Sequence, residues 1–276
     1  MVFTDAMRAI AHKELSDKLK SRWVIVIGSG FALFTLVISY FGGAPAGVTG
    51  FMSLDATIAS LTSLVTYFIP ILALTLGGGI IADEQEKGTL GIYLASPISV
   101  GEFIIGKFTG LVIALVLSIV AGLGVAGIML FFRTGTEAVG TFLVFIINSV
   151  LLGVTFLSVS FLISIIFYER TKVIALTICI WLLFTILYDL GLIGLLIVTK
   201  GSIGTEAFSM LLLLNPVDIY RILNFISIGE FQVLIGLASV EFPAYIRTSM
   251  LWGISMIWII APLGISYYYF KKRYLE

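Results

Sequence analysis

Asp83, Glu84 and Glu86 crowd one short stretch, followed by Lys87, a Gly88-Thr89 step, a short apolar segment and Ser96-Pro97. Carboxylates this close repel one another and call for cations. Those cations come from the N-terminal segment or from another molecule; a solvated acidic turn is the plainer alternative. Other ionisable chemistry is thin. His12 is the single histidine and Cys179 the single cysteine, so the chain offers no thiolate cluster and no internal disulfide. No H-E-x-x-H occurs, and no pair of carboxylates falls inside an apolar run, which argues against intramembrane hydrolysis. Gly77-Gly78-Gly79 continues into Ile-Ile-Ala-Asp, with no lysine to reach a phosphate, so the chain has no P-loop. Those glycines permit a hinge or a close helix contact, or mark a loose helix end.

The elements that hold these residues are set by hydropathy. The chain has 276 residues, 59% hydrophobic and 12% charged, against about 25% charged in a soluble domain. A helix needs about 20 apolar residues to cross a bilayer. Six segments qualify: 23–41, 57–82, 104–132, 138–168, 173–199 and 248–270. Continuous runs of this length mean helices rather than barrel strands. The expectation is an all-α integral membrane protein, one domain over 1–276. Trp23, Tyr40, Tyr168, Tyr188 and the tyrosines at 267–269 mark span ends.

Lysine and arginine set the orientation. Of the 16 in the chain, only Arg133, Lys200, Arg221 and Arg247 fall on one side. Both termini and the loop 83–103 are therefore expected in the cytoplasm, and segment 200–247 outside. Residues 1–22 carry charges throughout, so no cleavable leader is evident. The apolar pieces of the outer segment, 207–217 and 231–240, are each roughly half a span, which suggests short helices on or in the outer leaflet. An ordinary outer loop is the alternative. Asn215-Pro216 suits a helix start. In the N-terminal segment Phe3, Ala6, Met7, Ile10, Ala11 and Leu15 share a face, with Lys13, Asp17 and Lys20 opposite. Such a helix before a span is expected at the membrane interface.

Several single residues are readable. Ser99-Val-Gly-Glu102 is a capping box, so the third span's helix starts there. Thr89 to Ser96 allows about two helical turns, with Leu90, Tyr93 and Leu94 as apolar contacts. Lys107 is expected to snorkel to the headgroups, Asn148 to bond a neighbouring helix, and Pro70 to kink its own. Asp189 is the one acid within the fifth span, about 24 Å along it and near the outer surface. It serves packing or a transport pathway.

The order E-Q-E-K-G-T-L…L-A-S-P-I-S…E-F…G-K at 84–107 resembles the loop of ABC-2 type permeases. The opening I-A-H-K-E-L at 10–15, with Arg22 before the first span, is similar to the same family's N-terminus. The resemblance covers essentially the whole chain. It implies a type V exporter-like fold: an elbow helix over 1–22, six spans, a coupling helix in loop 83–103 and short outer helices within 200–247. Glu84, Glu86, Gly88, Thr89, Leu90, Tyr93, Ser96 and Pro97 would then serve ATPase coupling, and Lys13, Glu14 and Arg22 the elbow contact. The chain itself would be a non-catalytic transport subunit without cofactor or metal. ATP and Mg would sit on two copies of a separate ABC ATPase subunit, and a second permease copy would complete a homodimer. The setting implied is a prokaryotic cell (inner) membrane, with lipid as surroundings and no nucleic acid.

A narrower resemblance lies in L-N-P-V-D-I-Y-R at 214–221, similar to permeases associated with multicopper-enzyme maturation, including nitrous oxide reductase assembly. It implies an outer β-rich accessory protein, and transfer of energy or a sulfur species rather than copper. Asn215, Pro216, Asp218, Tyr220, Arg221 and Asp189 would then serve an outer partner or pathway. Two other readings remain: an ion-coupled carrier using Asp189, and a drug-, lipid- or ion-exporting ABC-2 permease outside the copper subgroup.

Overall fold

The computed structural model of the chain describes residues 4–41, 54–134, 137–167, 169–228, 243 and 245–274. Every regular element among them is helical. In order these are α1 (Asp5–Leu19), α2 (Arg22–Phe41), α3 (Leu54–Gly77), α4 (Ile80–Glu86), α5 (Leu90–Leu94), α6 (Val100–Thr134) and α7 (Glu137–Ile166). Then follow α8 (Arg170–Leu182), a π turn (Leu183–Leu187), α9 (Tyr188–Val198), α10 (Thr205–Leu213), α11 (Pro216–Ile228) and α12 (Thr248–Tyr274). Phe3, Tyr168, the segment 231–240 and the side chains of Trp23 and Tyr40 lie outside the described residues.

Among the described residues five helical runs are long and apolar enough to span a membrane: Ile58–Glu86, Val100–Ile128, Val139–Ile166, Arg170–Val198 and Thr248–Tyr274. The chain is a multi-pass membrane protein. The first expected span coincides with α2, whose described apolar stretch is Gly28–Ile38. α10 and α11 meet at a bend of 113°, too sharp for one straight crossing.

Small and hydroxylated residues let the helices approach, as expected where lipid removes the hydrophobic drive between them. α7 is central and packs on α3, α6, α11 and α12. A Cβ on its Gly153 would stand 3.0 Å from Leu115 and 3.1 Å from Ile69. Ser160 Oγ donates to Leu74 O (2.8 Å) and Ser158 Oγ to Trp258 O (3.0 Å), each closing a helix crossing. Asn148 Nδ2 donates to Asn224 Oδ1 on α11 (3.0 Å), an interhelical bond as the sequence suggests. Burial follows this plan. In the most apolar windows of the runs containing α3 and α7, 72% and 61% of residues are buried, against 17% for Arg170–Val198.

The three glycines are both a contact and a break. A Cβ on Gly77 would meet Ser160 Oγ at 2.8 Å, and one on Gly78 would meet Leu74 O at 2.6 Å. Gly79 has φ 120°, a conformation open to glycine and costly to other residues. The chain restarts as α4, and Ser164 Oγ of α7 accepts the Ile81 and Ala82 N–H groups at 2.9 and 3.3 Å. Helix starts leave such donors unpaired, so α7 caps α4 from outside. α3 runs on through Pro70. In the turn before that proline, Tyr67 O accepts Trp181 Nε1–H from α8 (3.0 Å).

Candidate functional site

Two polar clusters stand at opposite ends of the bundle. The first lies where α1, α4 and α6 meet. Gly106 and Gly110, one helical turn apart on α6, open a groove for α1. A Cβ on Gly110 would stand 2.5 Å from Ala11 O, and one on Gly106 would stand 3.1 Å from Met7 O. Met7, Ile10, Ala11 and Glu14 are buried there. The apolar face of α1 therefore rests on α6.

Lys107 lies between those glycines and faces the same contact. Its side chain is only 1% exposed, and Nζ donates to Glu14 Oε2 (2.8 Å) and Glu84 Oε1 (2.7 Å). The snorkelling expectation is overturned. A lysine two turns inside α6, with two carboxylates within reach, gains more from pairing than from stretching to water. Lys13 Nζ reaches the same Glu84 oxygen at 3.4 Å from a half-exposed position. The Tyr93 ring on α5 lies 5.5 Å from Lys107 Nζ and 5.4 Å from Lys13 Nζ, within cation–π range. Burial works against the Lys13 charge, but Tyr93 and Glu84 outweigh it and hold its pKa above the ordinary value.

The remaining carboxylates are also matched within the chain. Asp83 Oδ1 lies 3.3 Å from Arg170 Nε, an ion pair by distance without hydrogen-bond geometry. Glu86 Oε1 accepts the Arg170 backbone N–H at 2.8 Å, a favourable place for an anion at the start of α8. Tyr274 Oη donates to Gln85 Oε1 (2.9 Å), bringing the end of α12 to α4. Gly88, at φ 70°, turns the chain, and the Thr89 N–H and Oγ–H both reach Glu84 O. The capping box forms: Ser99 N–H donates to Glu102 Oε2 (2.9 Å) and Glu102 N–H to Ser99 Oγ (3.2 Å).

This joint divides the residues assigned to coupling. Glu84 and Leu90 are buried, Thr89, Tyr93 and Ser96 are half-buried, and Glu86, Gly88 and Pro97 are exposed. Of the elbow set, Glu14 is inside the joint, Lys13 at its edge and Arg22 exposed. Ile92, at the middle of α5, is 69% exposed.

The second cluster joins the π turn and α9 to α10 and α11. Asn215 Oδ1 accepts Val217 N–H (3.0 Å) at the start of α11. Its Nδ2 donates to Phe184 O in the π turn (3.0 Å) and to Asp218 Oδ2 (2.9 Å). Arg221 Nη1 bridges Asp218 (2.9 Å) and Asp189 (2.7 Å). Tyr188 Oη donates to Leu211 O at 2.5 Å. Tyr220 Oη is 3.3 Å from Ser149 Oγ. Asn215, Pro216, Asp218 and Tyr220 are buried, so in this arrangement they present no surface to another protein. They satisfy the polar groups exposed by the bend between α10 and α11. Asp189 and Arg221 remain partly exposed.

Residues 8–275 match the family model described as "ABC-2 family transporter protein". The chain belongs to that family. Two curated relatives carry the name "Probable ABC transporter permease protein NosY", one from Stutzerimonas stutzeri and one from Pseudomonas aeruginosa. Each is 35% identical over 268 residues, covering 96% of this chain and 97% of the relative. The chain is thus an ABC-2 permease subunit of an ABC transporter, similar to NosY.

Two signals for the joint of this ABC-2 permease were present in its sequence and went unread. A lysine at the head of a long apolar run demands a counter-charge, and G-x-x-x-G at 106–110 marks a close helix crossing. No comparable signal singles out the exposure of Ile92, which depends on how α5 seats against the joint.

Proposed function

We propose that this ABC-2 permease receives the work of a separate ATPase at the α4–α5 loop and delivers it to the far end of the bundle, in support of extracytoplasmic copper-enzyme maturation. One observation carries the coupling part. Lys107 ties α1, α4 and α6 into one body while Ile92 on α5 is left exposed. On a loop braced in this way, the exposed Ile92 is available to a partner, in line with the coupling helix that the family resemblance places here. In this reading α1 is the elbow helix and α5 the coupling helix. Both lie in the cytoplasm, as the distribution of Lys and Arg suggests. Two permeases and two ATPase subunits form the working unit. ATP and Mg sit on the ATPases, whose closure displaces α5. The α10–α11 pair is the output end, where an outer accessory protein would engage. The NosY name of the relatives and the 214–221 motif support the maturation role.

The test is co-purification in mild detergent with the ATPase of the same system, followed by binding measurements. Ile92→Asp is expected to weaken ATPase binding at least tenfold while the permease melts as before. Unchanged binding would remove α5 as the docking element. In cells, loss of the permease is expected to leave the outer copper enzyme immature. A mature enzyme would move the permease out of the copper subgroup and towards drug, lipid or ion export.

A further inference from the structure

The run α8, π turn and α9 is gripped at defined points and left open along most of its length. At the loop end Arg170 is held by Asp83 and Glu86 of α4. About two thirds of the way along, at the start of α9, Asp189 is held by Arg221, and Tyr188 is bonded to Leu211 O. Between them, Trp181 bonds Tyr67 O and Asn215 bonds the Phe184 carbonyl of the π turn. Only 17% of the run's most apolar window is buried. A close-packed helix such as α7 resists displacement without its neighbours. A helix fastened at its start and again at the head of α9, with little packing between, can transmit displacement between those two points.

We propose that this fifth span is the rod that carries displacement of the α4–α5 loop to α10 and α11, with Arg170 and Asp189 as its positioning residues. The proposal rests on the coupling reading above and adds the route. α6, although also joined to α4, ends in the hairpin to α7. The far-end cluster fastens α10 and α11 to the span that begins at Arg170.

The test uses the full permease with its ATPase in lipid nanodiscs. Cys179 is replaced by Ser, and spin labels are placed at the exposed positions Leu143 on α7 and Met210 on α10. The interlabel distance is read without nucleotide and with ATP and vanadate. A nucleotide-dependent shift is expected. It is expected to fall by at least half in the double variant Tyr188→Phe, Asp189→Leu, which cuts both grips on α9 and leaves the Asn215 bond to the π turn and the Asn215–Asp218–Arg221 contacts. ATPase binding and hydrolysis should persist in that variant. Arg170→Gln, at a half-exposed position, is a second, milder cut and should also reduce the shift. A full shift in both variants overturns the rod alone. An unsubstituted permease that neither binds an ATPase nor shifts overturns the coupling reading, and the rod with it.

Discussion

Replacing Lys107 with Met probes the joint most directly. The substitution keeps most of the side chain's volume and removes its charge. Glu14 and Glu84 then remain 4% and 9% exposed, with Lys13 at 3.4 Å as the nearest remaining cation for Glu84. Removing one partner from a buried ion pair costs about 3–5 kcal/mol, because the other charge stays desolvated. At roughly 2–4 °C per kcal/mol, the melting temperature should fall by roughly 10 °C. Scanning fluorimetry of the detergent-purified permease measures this. Removing all three charges together, with Glu14→Leu and Glu84→Leu added, is expected to recover most of the loss, since an apolar replacement of a buried triad is often neutral or stabilising. A Lys107→Met protein melting within a degree or two of the parent would refute the reasoning. It would mean that water reaches these charges and that the joint is not a dry pin.

Two further substitutions test how the elements meet. Gly110→Val should drive α1 off α6, because even a Cβ there lies 2.5 Å from Ala11 O; faster proteolysis within α1 would show it, and an unchanged cleavage pattern would count against the packing. Gly79→Ala should cost about 1–3 kcal/mol through its left-handed backbone, with hydrogen exchange rising first at the Ile81 and Ala82 amides that Ser164 caps.

The parts of the fold legible in the sequence were those fixed by local chemistry. The capping box at Ser99 needs four consecutive residues, and the span-length runs follow from hydropathy alone. The joint was harder, because Glu14 and Lys107 lie 93 residues apart. The acidic cluster announced a need for cations without naming them, and Lys107 stood close enough to a span end that snorkelling accounted for it. At the far end, the resemblance assigned the 214–221 residues to an outer partner or pathway, and their types alone did not say what they meet within the chain. The structure folds them inward, where Asn215 and Asp218 meet the π turn and Arg221. Sequence periodicity gave no sign of that turn, which lies within a uniformly apolar run.

The buried pin also bears on how the chain is made. Glu14 and Glu84 both precede Lys107, so both counter-ions have left the ribosome before the lysine appears. A lysine near the centre of an inserting helix costs about 2.5–3.5 kcal/mol on translocon-based scales, and less near its end. When α6 reaches the bilayer, α1 and α4 are already available to close on it. Transposing the segments, so that the lysine emerged before its acids, would leave the same final contacts but expose an unpaired charge during insertion. The order of elements in this chain therefore guards a vulnerable moment in its synthesis.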